Sequence, residues 1–281
     1  MEKINTDRSG IAWHPGLEGV MEMEIDELKV FLEVKATELQ LTTEPLRIDC
    51  IIIKKVKNAV ITKKIFAIFK GVNIIEYKSP DDYIAVEDFY KVYAYACLYI
   101  SLRRVPATDI TISFINSRYP RELFTHFQEI RGYKVEEKSP GIYIVSGDIF
   151  PIQVINNRKL PLEENFWLRS FDNRQSVDEV RWLLDDKEKQ EKAKRYKAFL
   201  DVYTRANAES FKEVIKMSGS TLTFDQVLED AGLTAKWEAK GEEKNACEAA
   251  MRMLQKGYSH EEISELLALS LEKIQELSES L

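Results

Sequence analysis

Asp49 sits inside LRIDCIII, where Ile48 to Ile53 form an apolar, β-branched run of strand length, a setting in which aspartate is normally depleted. A second short run, VNIIEY from Val72 to Tyr77, carries Glu76. Side chains alternate along a strand, so Glu76 and Lys78 share one face and Tyr77 takes the other. If the two runs are neighbours in a sheet, two carboxylates and an ammonium converge. Asp49, Glu76 and the Tyr77 backbone carbonyl are hard oxygen ligands of the kind Mg²⁺ prefers, with Mn²⁺ as the alternative, and they leave room for water and phosphate oxygens. Lys78 beside such a metal would orient or deprotonate the attacking water. The expected catalytic set is Asp49, Glu76 and Lys78. The plainer alternative is a strand-edge Asp49 and a solvent-facing ion pair between Glu76 and Lys78.

The spacer between these runs holds six lysines, Lys54, Lys55, Lys57, Lys63, Lys64 and Lys70, and no acid. The whole chain carries a formal charge of −7. That sign is misleading locally, because residues 1–160 hold 22 basic and 22 acidic side chains, while residues 161–281 hold 18 and 25. A local basic patch governs phosphate binding more than the global sign does. Lys54, Lys55, Lys57, Lys63 and Lys64 are therefore expected nucleic-acid contacts, against the alternative of lysines guarding an exposed sheet edge.

The residues around the acids carry a resemblance. PLRIDCIII followed by NIIEYKSPDDYIAVEDFYKVYAYACLY is similar to the recombination-promoting nuclease and putative transposase branch of the PD-(D/E)xK nuclease superfamily. Ile48 stands where the superfamily name has proline. The resemblance implies a restriction-endonuclease-like αβββαβ core with a mixed central sheet, α/β in class, followed by a mostly helical C-terminal extension. It implies divalent-metal-dependent hydrolysis of DNA phosphodiester bonds, with a role in recombination, mobile elements or defence. Members of the family often contribute an acid from the first helix, which makes Glu24 an accessory metal candidate or else a solvated edge group. The helix after the ExK strand flanks the active site in that family, so Tyr90 and Lys91 are expected to contact phosphate. A catalytically silent nuclease-fold protein, acting as a nucleic-acid-binding or protein-interaction module, is the second expectation.

The rest of the chain fits this order. Residues 1–13 read as a flexible tail and residues 14–160 as the nuclease-like domain, opening with a helix whose apolar stripe is Leu17, Val20, Met21 and Leu28. Val60 to Lys70, with IFAIF, reads as a connecting helix or a hairpin arm. Val86 to Leu102 is a helix, Thr108 to Asn116 a strand, and Lys134 to Ser146 a hairpin turning at Ser139-Pro140-Gly141. Arg118 and Arg121 follow a strand end, where they could bind ligand or pair with local acids. Residues 161–281 read as an exposed or partner-bound helical arm and a final helix pair. KGYSHEEISELLALSLEKIQELSESL resembles the C-terminal segment of the same family, and its acidity favours a homo-oligomer or protein partner over DNA. Three cysteines without CxxC spacing indicate neither a disulfide framework nor a zinc site. No membrane span is seen, and the opening lacks the form of a signal peptide, so the expected location is cytoplasmic.

Overall fold

The fold is a computed structural model that describes residues 13–36, 39–40, 47–48, 51–56, 59–186, 188–189, 192–193, 196–217, 246–247, 249–251, 253–254, 258–267 and 269–279. It divides into two compact units, Met1–Ser218 and Gly219–Leu281. The first has a mixed α/β architecture with a central mixed sheet flanked by helices. Its strands are β1 (Leu32–Ala36), β4 (Ile51–Lys55), β5 (Val72–Tyr77), β6 (Ile110–Asn116), β7 (Lys134–Ser139), β8 (Ile142–Ser146) and β9 (Ile152–Asn156). They are ordered β1-β4-β5-β6-β9-β8-β7, and a separate ribbon pairs β2 (Leu39–Gln40) with β3 (Arg47–Ile48). β5, β6 and β9 run parallel, whereas the outer pairings are antiparallel.

Burial explains the order. β6 and β9 are buried at every residue, as parallel central strands covered on both faces must be. β7, KVEEKS, is half exposed with no fully buried residue and closes the far edge with charge, which discourages pairing with another chain. On one face Ile74, Ile112 and Val154 meet Phe89, Val92 and Ala96 of α2 (Val86–Arg103) and Leu123 and Phe124 of α3 (Arg121–Thr125). Each large apolar side chain buried there contributes about 1.5–3 kcal/mol. α2 starts where Asp88 Oδ2 accepts from the Ala85 N–H at 3.0 Å. It stops at Arg104, whose φ of 53° is left-handed.

The opposite face is polar inside. Asn73 Nδ2 donates to Ile53 O at 3.0 Å, and Thr111 Oγ1 donates to Asn73 Oδ1 at 2.5 Å. Gln153 Nε2 donates to Ser113 Oγ and to Ile65 O, both at 2.9 Å. Ile65 lies in a short 3-10 turn, Lys64–Phe66, so the segment expected to be a helix or hairpin arm is instead a turn tied to this face. Over the same side lie α1 (Trp13–Glu24), α4 (Phe166–Ser170), α5 (Val177–Asp185), α6 (Lys197–Ala206) and α7 (Ala208–Met217). Gly16 lets α1 and α6 approach closely, since a Cβ there would sit 2.9 Å from Val202 Cγ2. Residues up to 217, read from sequence as part of an arm, thus belong to the first unit, whose boundary falls at 218/219.

The β7–β8 turn needs Gly141, which has φ of 77° and would place a Cβ 2.6 Å from Asn156 O. Behind α2, Arg131 donates to the Tyr133 hydroxyl and to Asp148, and Tyr133 donates to Asp148. The Arg131 guanidinium stands 5.1 Å from the centre of the Tyr133 ring. Burial, then the hydrogen bond to Asp148, pushes the Tyr133 phenol from 10.0 up to about 12. Because the folded pKa is the higher one, this group's stabilisation is complete below pH 10 and lost as pH rises through about 12. A titration of phenolate absorbance should show a component near pH 12 that Tyr133→Phe removes; a Phe variant with an unchanged curve would refute the assignment.

The second unit contains α8 (His260–Leu267) and α9 (Leu271–Glu279), which bury Ala250, Ile263 and Ile274 together. Among the described residues no helix is long and apolar enough to cross a membrane.

Candidate functional site

At the carboxyl end of β5, Glu76 points to the same face as Ile74, and its neighbour across the parallel ladder is Phe114. Its carboxylate is almost fully buried. Burying a charge demands compensation. Lys78 Nζ lies 3.7 Å and Lys91 Nζ 3.3 Å from Glu76 Oε1. Lys78 also pairs with Asp88 Oδ1 at 2.8 Å. The placement follows from local structure: Lys78 extends the ladder through its N–H to Ile115 O at 3.0 Å, while Asp88 and Lys91 lie one helical turn apart at the start of α2. Glu76, Lys78 and Lys91 therefore stand together; the convergence expected from sequence was of Asp49, Glu76 and Lys78, and its Asp49 member lies outside the described residues.

Beside them the Tyr90 hydroxyl meets His126 Nε2 at 3.1 Å, and Tyr90 is exposed. Arg118, just beyond β6, donates Nε to Pro80 O at 3.1 Å and has no carboxylate partner among the described residues. The remaining guanidinium donors stay open near the loop that follows Lys78. The sequence pointed to Arg118 by its place after a strand but weighed it toward a local acid; the backbone carbonyl that holds it belongs to a segment 38 residues away.

Other expected contacts lie elsewhere. Asp49 and Lys57 fall outside the described residues. Lys54 is exposed on β4, opposite Glu33, and Lys55 Nζ donates to Phe69 O at 3.1 Å. Lys63 pairs with Glu24, and Lys64 with Glu164 at 3.2 Å. Lys63 and Lys64 are thus paired with distant acids, and no lysine of the segment joins the Glu76 cluster among the contacts described.

The expected Mg²⁺ or Mn²⁺ site is corrected. Among the described residues no group of three or more His, Cys, Asp or Glu side chains is placed to hold a metal ion. Glu76 is turned toward two ammonium groups that a cation would have to displace. Glu24 is neither a solvated edge group nor a metal ligand: its side chain is fully buried, pairs with Lys63, and accepts the Leu168 N–H at 2.7 Å. Tyr77 sends its ring to the other face, 5.1 Å from Phe171.

Lys91 offers an ammonium beside Glu76, and Arg118 offers guanidinium donors at the loop that carries Pro80. No family model, no curated protein and no solved structure matches this chain.

Proposed function

We propose that this chain is a nuclease-fold protein that binds the phosphodiester backbone of DNA at the carboxyl edge of β5 and β6. The observation that carries this reading is one buried carboxylate, Glu76, held by Lys78 and Lys91, with the open Arg118 guanidinium on the adjoining loop. Ligands of open sheets with parallel strands bind outside the strands' carboxyl ends, which is where these groups stand. Arginine is suited to phosphate by its planar array of donors. The order of helix, strands, helix and strand supports a restriction-endonuclease-like assignment of the sheet, and Asp49-to-Lys78 supports kinship with PD-(D/E)xK nucleases. Free thiols at Cys97 and Cys247 fit a reducing compartment such as the cytoplasm.

Phosphodiester hydrolysis is the second reading, favoured by the shared strand face of Glu76 and Lys78. The experiment is plasmid nicking and DNA binding measured together on wild type, Glu76→Gln and Lys78→Ala, in buffers of differing divalent-cation content. Binding is expected in wild type and should strengthen in Glu76→Gln, which removes a negative charge beside the phosphate. Nicking lost in both variants supports hydrolysis. Binding without nicking leaves the chain a binding module, and absence of binding rejects the proposal.

A further inference from the structure

Three tyrosines stand half exposed in the segments that leave the carboxyl ends of β5 and β6: Tyr83 at 56%, Tyr90 at 45% and Tyr119 at 52%. Single exposed rings are ordinary on a protein surface, but contacts tie these three to one place. The bond from Arg118 Nε to Pro80 O joins the loop that carries Tyr119 to the loop that carries Tyr83. Tyr119 packs edge-on against Phe124 of α3, ring centres 5.1 Å apart, and the Tyr90 hydroxyl meets His126, the residue that follows α3. Each of two rings has a cation next to it in the chain, Lys91 after Tyr90 and Arg118 before Tyr119. Lys159 Nζ, 5.7 Å from the Tyr119 ring centre, brings a third.

The same edge carries a demand that a phosphate backbone does not meet. Asn116 and Asn156 are the last residues of β6 and β9 and are neighbours across the parallel ladder. Alternation puts them on the face of Phe114 and Val154, which Glu76 shares. Both are buried, and Asn116 Nδ2, Asn116 Oδ1 and Asn156 Oδ1 have no hydrogen-bond partner among the described residues. Buried amide atoms call for partners. Two of the three are acceptors, and a phosphodiester has no donor to give them. The exocyclic amines of nucleobases do, through a bridging water where the amide lies too deep for direct contact.

We propose, resting on the phosphate-binding reading above, that this edge prefers unpaired DNA: the bases of a single strand stack on Tyr83, Tyr90 and Tyr119 while its phosphates meet Lys91 and Arg118. Aromatic rings interleaved with cations hold single strands because every base has a face to stack, and a duplex keeps those faces covered.

The test is fluorescence anisotropy of the full chain with three labelled oligonucleotides of one length at one salt concentration: a single strand, its duplex, and a strand of abasic residues. The single strand is expected to bind about tenfold more tightly than either of the others. Tyr83→Ala and Tyr119→Ala should each weaken it about tenfold, the scale of one lost base–aromatic stack, and leave the abasic strand unchanged. Tyr83→Phe and Tyr119→Phe keep the rings and should bind as wild type does, which separates stacking from hydroxyl contacts. Tyr258→Ala removes a similarly exposed ring from the second unit and should change nothing. Equal binding of all three oligonucleotides, alanine variants that bind the single strand as wild type does, or alanine variants that weaken the abasic strand equally would overturn the preference and leave phosphate binding standing. Binding of none of the three would reject both.

Discussion

Glu24→Ala should destabilise the first unit by about 3 kcal/mol, the scale for breaking a buried ion pair from one side. Two losses combine. The Leu168 N–H, buried in α4's first turn, loses its acceptor at 2.7 Å, which costs about 1–3 kcal/mol. The Lys63 ammonium loses its partner while retaining some contact with solvent, its side chain being 25% exposed, so the total stays at the lower end of the range for such pairs. A second pair from the same segment supplies the contrast. Lys64 and Glu164 are about half exposed, and Glu164→Ala should change stability by no more than about 0.5 kcal/mol. Urea unfolding followed by tryptophan fluorescence and circular dichroism distinguishes them. A Glu24→Ala loss below about 1 kcal/mol would mean that the pair and the Leu168 contact are not what joins α1 to α4.

That same glutamate shows where a sequence stops being informative. An acid within the stripe of Leu17, Val20 and Met21 signals a special position, but its partners lie 39 and 144 residues away. Nothing in the local pattern separates an anchor of this kind from a metal ligand. The lysines between Lys54 and Lys70 are the mirror-image case: the segment has no acids of its own, and the acids that pair with Lys63 and Lys64 come from α1 and the approach to α4.

Strand content was more legible, because β5 and β6 announce themselves by β-branched residues and β7–β8 by Ser139-Pro140-Gly141. The buried polar row was not. Asn73, Thr111, Ser113 and Gln153 follow the two-residue alternation that normally marks a solvated face, yet the turn at Lys64–Phe66 and the helices beyond it cover them. Part of their cost is met by hydrogen bonds among themselves and to the Ile53 and Ile65 carbonyls. The charged region after Pro161 hid a core stripe in the same way, with Phe199, Val202 and Tyr203 of α6 buried. Glu76 and Lys78 could be placed together because alternation along one strand is a local rule. Lys91 came from its position on the next helix, whereas the open state of Arg118 depends on which carbonyl a distant loop presents.

DNA binding as a function of salt tests the proposed interface most directly. Each phosphate contact contributes about 0.9 to the slope of log affinity against log salt on duplex DNA. Wild type should therefore bind with a clear salt dependence, and Arg118→Ala/Lys91→Ala should bind more weakly with a slope shallower by about 1.8. Lys54→Ala, on β4 and away from the cluster contacts, should leave the slope within error of wild type. Salt-sensitive binding whose slope is untouched by the Arg118 and Lys91 changes, or wild-type protein that binds no DNA at low salt, would contradict the assignment of the Glu76 cluster as the phosphate-binding site.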